Sequence, residues 1–172
     1  MFISSRLSLT QKLTISALCM ALYVVIMFYT QSFAFGQYQI RIATALYGLS
    51  AIFPFLILPM GIANLISNTL MGGLGPLDAI GGVCVGMLAT SFIALIKKHN
   101  FANVWIAIII ILVPGLCVPT WLSLLLNIPY SILAVSLLAG QIIPGIVGAC
   151  LVTALERRTS GSMGGKLVNH EN

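Results

Sequence analysis

Charge is what this sequence has least of. Of 172 residues, 6% are charged and only three are acidic. A soluble domain carries roughly 25% charged residues to keep its surface in water, so this composition excludes an ordinary soluble fold. Histidine is nearly missing too, with His99 and His170 alone. Together with the scarcity of acids, this leaves no Ser-His-Asp or Cys-His set and no cluster of metal ligands. The phosphate-binding pattern GxxxxGK[ST] is absent as well: Gly161-Ser-Met-Gly-Gly-Lys166 has the wrong spacing and is followed by Leu167. The chain is therefore not expected to be an enzyme, to hydrolyse ATP or to need a cofactor or metal. Its four cysteines, Cys19, Cys84, Cys117 and Cys150, lie far apart in apolar runs with no CxxC, and read as small buried hydrophobes.

What fills the chain instead is apolar: 59% hydrophobic residues and a mean hydropathy of +1.09. These values describe a polytopic, all-α membrane protein with one helix bundle. The net charge of +5 does not point to nucleic acid. The basic residues are not gathered into a patch; they flank apolar segments, where the positive-inside rule places them. The first apolar run, Leu13–Phe35, is longer than the roughly 7–15 residues of a signal-peptide core and reads as a retained span.

Clear spans follow at Leu77–Ile96, Val104–Leu126 and Ser131–Leu155, each close to the roughly 20 residues that cross the hydrocarbon. The stretch Ala43–Met71 is either one long span or two short ones hinged near Pro54 to Gly61. Charge bias decides for two, at about Ala43–Leu58 and Met60–Leu70. With six spans, Arg6, Lys12, Lys97, Lys98, Arg157, Arg158 and Lys166 all face the cytoplasm, seven of the eight basic residues. The expectation is a six-helix transmembrane domain over residues 1–156, both termini cytoplasmic, and a short polar tail over 157–172 whose Ser/Gly-rich composition predicts disorder.

Between Lys12 and Lys97 stand only two charges, Arg41 and Asp78. A charge in or beside lipid costs several kcal/mol unless paired, hydrated or bound, so such residues are functional candidates. The six-span topology puts both on the outer face. Around them lie Gln39, with hydrogen-bonding groups of both kinds, and the aromatic faces of Phe35 and Tyr38. Asn64 and Asn68 share one helix face at i, i+4 spacing, and Trp121 precedes the last outer turn. Two readings stay open at this point. Arg41 and Asp78 pair with each other and pin two loops, or these residues form a pocket for a planar, hydrogen-bonding solute. Trp121 fits equally well as an interface anchor.

The segments Gln39-Ile-Arg-Ile-Ala-Thr-Ala-Leu46, Asn68, and Gly72-Gly-Leu-Gly-Pro-Leu-Asp-Ala-Ile-Gly-Gly82 resemble the QueT family over about Leu13–Lys98. Its members are substrate-binding S components of energy-coupling factor (ECF) transporters, assigned to queuosine precursors. The resemblance implies a subunit that captures a vitamin-like heteroaromatic solute, such as a 7-deazaguanine, at the outer face of a prokaryotic cell membrane. It implies as partners an ECF membrane subunit and two ATPase subunits, besides the lipid bilayer. It also gives Ala17 and Ala21, a small-xxx-small pair on the first helix, a partner-docking role. One departure stands out: the family's usual Ser-Glu is Ala43-Thr44 here, which leaves Asp78 as the sole outer acid. A self-sufficient homo-oligomeric carrier and a non-transporting structural subunit are the alternatives.

Overall fold

A computed structural model describes residues 7–35, 39–72 and 74–168, with side chains up to residue 158. All its elements are helical. The first, α1 (Leu9–Tyr29), starts four residues before the expected Leu13 because Ser8 and Gln11 form a capping box. Ser8 Oγ accepts from the Gln11 amide at 3.2 Å, and Gln11 Oε1 accepts from the Ser8 amide at 2.9 Å. Two otherwise orphaned donors are satisfied there. At the other end Thr30 Oγ1 donates to the Ile26 carbonyl at 2.7 Å, and the single turn α2 (Gln31–Ala34) follows. The expected span to Phe35 is thus two pieces.

The ambiguous stretch does divide, just before Pro54 rather than between Leu58 and Met60. Residues Ile42–Ala51 wind as a 3-10 helix rather than an α-helix, and it ends seven residues before Leu58. The break falls at Ile52–Phe53. Phe53 precedes Pro54 and sits at φ −123°, ψ 79°, outside the helical region, because the proline ring clashes with a helical predecessor. A second short 3-10 turn, Pro54–Leu56, leads into α3 (Ile57–Ser67). Pro59 is no hinge. It lies in the first turn of α3, where a missing amide hydrogen has no partner to lose. A π-helical turn, Asn68–Gly72, closes this element.

Next come α4 (Pro76–Lys98) and α5 (Val104–Leu126). The last apolar run, expected as one helix, is broken at Gln141 into α6 (Tyr130–Gly140) and α7 (Ile142–Val168). Pro144 sits in the first turn of α7, again where it removes no bond. The helix then continues to Val168 through most of the polar tail.

Five helical stretches are long and apolar enough to cross a membrane: Leu9–Tyr29, Pro54–Gly72, Pro76–Lys98, Val104–Leu126 and Tyr130–Arg158. Ile42–Ala51 is a shorter apolar helix. At the 3-10 rise of about 2.0 Å per residue its ten residues reach roughly 20 Å. It runs through the middle of the bundle, with Ala43 to Gly48, Ser50 and Ala51 all buried. Small residues make this possible. The backbone of α7 comes so close that a Cβ on Gly48 would lie 2.9 Å from the Gly148 carbonyl. By contrast α1 is peripheral: Tyr23 and Met27 are its buried residues, and Ala17 and Ala21 lie on its exposed face.

The two ends of the bundle differ in chemistry. At one end Lys97 Nζ meets Glu156 Oε1 at 2.7 Å, and Asn103 bridges them, accepting from Lys97 at 2.6 Å and donating to Glu156 at 2.8 Å. This ties the C-terminal end of α4 and the start of α5 to the middle of α7. Asp78 lies at the opposite end of α4, about 30 Å away at 1.5 Å per residue.

A polar cavity at the Asp78 end of the bundle

Four elements deliver polar groups to one place. Gly75, at φ +89°, makes the turn into α4, and Pro76 occupies its first position. Asp78 therefore falls in the first turn, where a carboxylate is stabilised by the helix dipole. Arg41 immediately precedes the 3-10 helix. Asn64 lies on α3 and Asn68 one turn later, on the same face. Trp121 comes from α5.

Arg41 and Asp78 are both buried, at 6% and 2% exposure, and they are not an ion pair. Among the described residues the ion pair is that of Lys97 with Glu156. Arg41 Nη1 instead donates to Asn68 Oδ1 at 3.1 Å and more weakly to Asn64 Oδ1 at 3.4 Å. Its guanidinium stacks on the Phe35 ring, 4.9 Å from the centroid, a favourable cation–π arrangement. Asp78 Oδ1 accepts from the Trp121 indole N–H at 3.1 Å. The Asn68 side-chain nitrogen donates to the Asp78 main-chain carbonyl at 3.1 Å, so Asn68 links the Arg41 guanidinium to the backbone of Asp78.

The network continues inward. Asn64 Nδ2 donates to the Tyr47 hydroxyl at 2.7 Å and to the Gly82 carbonyl at 2.8 Å. Tyr47 stacks on Tyr23 of α1 with centroids 5.9 Å apart, and their hydroxyls are 3.4 Å apart. Glycines on α4 make room for these groups. A Cβ on Gly82 would lie 2.5 Å from Asn68 Nδ2, and one on Gly81 would lie 2.7 Å from the Trp121 ring.

Two buried side-chain polar atoms have no partner among the described residues: Arg41 Nε and Asp78 Oδ2. Both residues line a cavity walled also by Gln39, Thr44, Tyr47, Asn64, Asn68, Trp121 and Gln141, with Val85, Pro114, Val118 and Leu137 as its apolar side. The cavity volume is only about 10 Å³, room for little more than a single water molecule. A bicyclic ring enters only if the walls move apart.

The residues singled out from the sequence mostly converge. Gln39, Arg41, Asn64, Asn68, Asp78 and Trp121 share the cavity wall. Phe35 does not; its ring holds the Arg41 guanidinium. Tyr38 lies outside the described residues. Tyr47 and Gln141 were missed. Gln141 is 2% exposed and contacts the Arg41 segment from the far end of the chain: its Nε2 donates to the Gln39 carbonyl at 3.3 Å and its Oε1 accepts from Thr44 Oγ1 at 2.9 Å. The signal was a lone amide after Gly140 and three residues before Pro144, a polar break like those around Arg41 and Asp78.

No curated protein and no solved structure matches the chain. The QueT transporter family model matches residues 13–157, which include every described wall residue of the cavity. The chain therefore belongs to the QueT transporter family, as the motifs around Arg41 and Asp78 foreshadowed.

Proposed function

We propose that this protein is the substrate-binding S component of an ECF-type importer, and that the cavity at the Asp78 end captures a vitamin-like heteroaromatic solute, a 7-deazaguanine precursor of queuosine. The observation that carries this reading is the pair of unpartnered, buried atoms, Arg41 Nε and Asp78 Oδ2, on two residues that both line the cavity. Buried polar groups in native proteins are nearly always satisfied. An acceptor for Arg41 and a donor for Asp78 on a single planar solute complete both at once. Tyr47 and Trp121 supply aromatic faces, and Val85, Pro114, Val118 and Leu137 the apolar side expected of a small-molecule site.

In this proposal Ile42–Ala51 is the second of six membrane-crossing segments. The Lys97–Glu156 end, with Lys98, Arg157 and Arg158, faces the cytoplasm in keeping with the positive-inside rule. The cavity then opens to the outside, where the solute arrives. An ECF membrane subunit and two ATPases supply the energy, and the exposed Ala17–Ala21 face of α1 is the surface that meets the membrane subunit. Exposure of two small residues one turn apart suits close helix approach.

The test is calorimetric titration of the purified protein with 7-cyano-7-deazaguanine, beside mass spectrometry of small molecules that co-purify. Saturable binding that falls by a factor of tens or more in Arg41→Ala and in Asp78→Asn is the expected result, since losing one partner of a buried, hydrogen-bonded charge costs about 2–5 kcal/mol. Affinity unchanged in both variants removes the cavity as the site.

A further inference from the structure

The charges on the cavity wall sum to zero. Arg41 contributes one cation and Asp78 one carboxylate; every other described wall residue is uncharged. In a nearly closed cavity this balance matters, because an additional ion has no countercharge and little water to replace it. Trp121 already donates to one oxygen of the single carboxylate.

Gln141 extends the pattern. Its nitrogen is fixed on the Gln39 carbonyl at 3.3 Å, which turns its oxygen toward Thr44. The Thr44 hydroxyl has one proton and two acceptors in reach: the Arg41 carbonyl at 2.7 Å and Gln141 Oε1 at 2.9 Å. An amide oxygen has two lone pairs, so Gln141 Oε1 keeps acceptor capacity while it accepts from Thr44, and Asp78 Oδ2 has no partner among the described residues. The wall then presents two acceptors and the Arg41 Nε donor.

We infer that the site selects an uncharged planar solute with at least two N–H donors and one acceptor, and that Gln141 is the specificity-determining residue. Its amide reads a solute N–H while adding no charge to the wall. This rests on the cavity's being the solute site. It goes further by excluding the cationic members of the same chemical class.

A matched pair of probes tests it: 7-cyano-7-deazaguanine, which is neutral, and 7-aminomethyl-7-deazaguanine, whose amine is protonated at pH 7. Titration calorimetry on the wild-type protein is expected to show the nitrile binding about thirtyfold or more tightly than the amine. Gln141→Glu, nearly isosteric, places a carboxylate on the wall and is expected to narrow that ratio about tenfold or more. Gln141→Leu removes the acceptor without adding charge, so it should weaken the nitrile and leave the amine no better. Equal wild-type affinity for the two probes, both still weakened by Asp78→Asn, overturns the neutrality inference and keeps the site. If Gln141→Glu and Gln141→Leu weaken both probes by the same factor, Gln141 is structural only and its assignment falls. Binding of neither probe to folded wild-type protein overturns the cavity reading and this inference together.

Discussion

The indole N–H of Trp121 donates to Asp78 Oδ1 at 3.1 Å, joining the C-terminal part of one long helix to the first turn of another. Only one carboxylate oxygen is engaged, and the other is buried without a partner among the described residues. Trp121→Phe keeps the ring and removes this bond to a buried charge, a loss of about 1–3 kcal/mol. The expected result is a five- to hundredfold weaker affinity for 7-cyano-7-deazaguanine by calorimetry. An affinity within about twofold of wild type would mean that the indole is only a wall.

Gly82→Ala tests the packing beneath the two asparagines. The new methyl carbon would sit 2.5 Å from Asn68 Nδ2 and 3.1 Å from Asn64 Oδ1, so both amides must shift from Arg41. Overpacking of this kind costs about 1–3 kcal/mol, read as a lower thermal midpoint in detergent together with at least a tenfold loss of solute affinity. Normal binding with a lowered midpoint would separate the asparagines from the site.

Tyr47→Phe deletes a hydroxyl that accepts from Asn64 at 2.7 Å and lies 3.4 Å from the Tyr23 hydroxyl. One buried Asn64 N–H loses an acceptor, at a cost of about 1–3 kcal/mol. Tyr23→Phe leaves the Asn64 bond intact and is expected to cost less than about 1 kcal/mol. Chemical denaturation of the two variants side by side should reproduce that order, and the reverse order would displace Tyr47 from the centre of the network.

Replacing Ala17 and Ala21 together by Trp adds bulk on the exposed face of the peripheral helix. Solute binding by the isolated protein should persist, whereas uptake by cells carrying the full importer should fall to background, because bulk blocks close helix approach. Persistent uptake would assign partner docking to another face. In proteoliposomes the wild-type protein alone should move no solute; uptake without ATPases would favour a self-sufficient carrier.

At the charged end, Lys97→Met removes a partner from a bridge whose side chains are 22% and 35% exposed. Such half-open pairs contribute little, under about 1 kcal/mol, and Asn103 still donates to Glu156. The thermal midpoint should move by only a few degrees and solute affinity not at all. A large drop in affinity would reveal coupling across the length of α4.

The sequence made the membrane class, the two odd charges and their neighbours legible because lipid tolerates so few polar groups. Arg41, Asp78 and the Asn64–Asn68 pair stand out against an apolar background, and their convergence follows from that scarcity. Less was legible where one residue type serves two backbones. Pro54 and Pro59 look alike in the chain, yet Pro54 follows a break and Pro59 sits harmlessly inside a first turn. Composition could not reveal that Ile42–Ala51 winds as a 3-10 helix in the bundle centre, because its setting depends on close contact with a helix about a hundred residues away. For the same reason Gln141 passed as an isolated polar residue until its partners were in place.

Thr44 and Gln141, which hydrogen-bond to each other at 2.9 Å in the cavity wall, lie 97 positions apart in the chain. During biosynthesis, the first of these residues enters the bilayer long before the second has left the ribosome. The cavity wall is then completed late: a nascent chain that stops before Gln141 lacks one of its polar residues, whatever the rest of the wall has already formed.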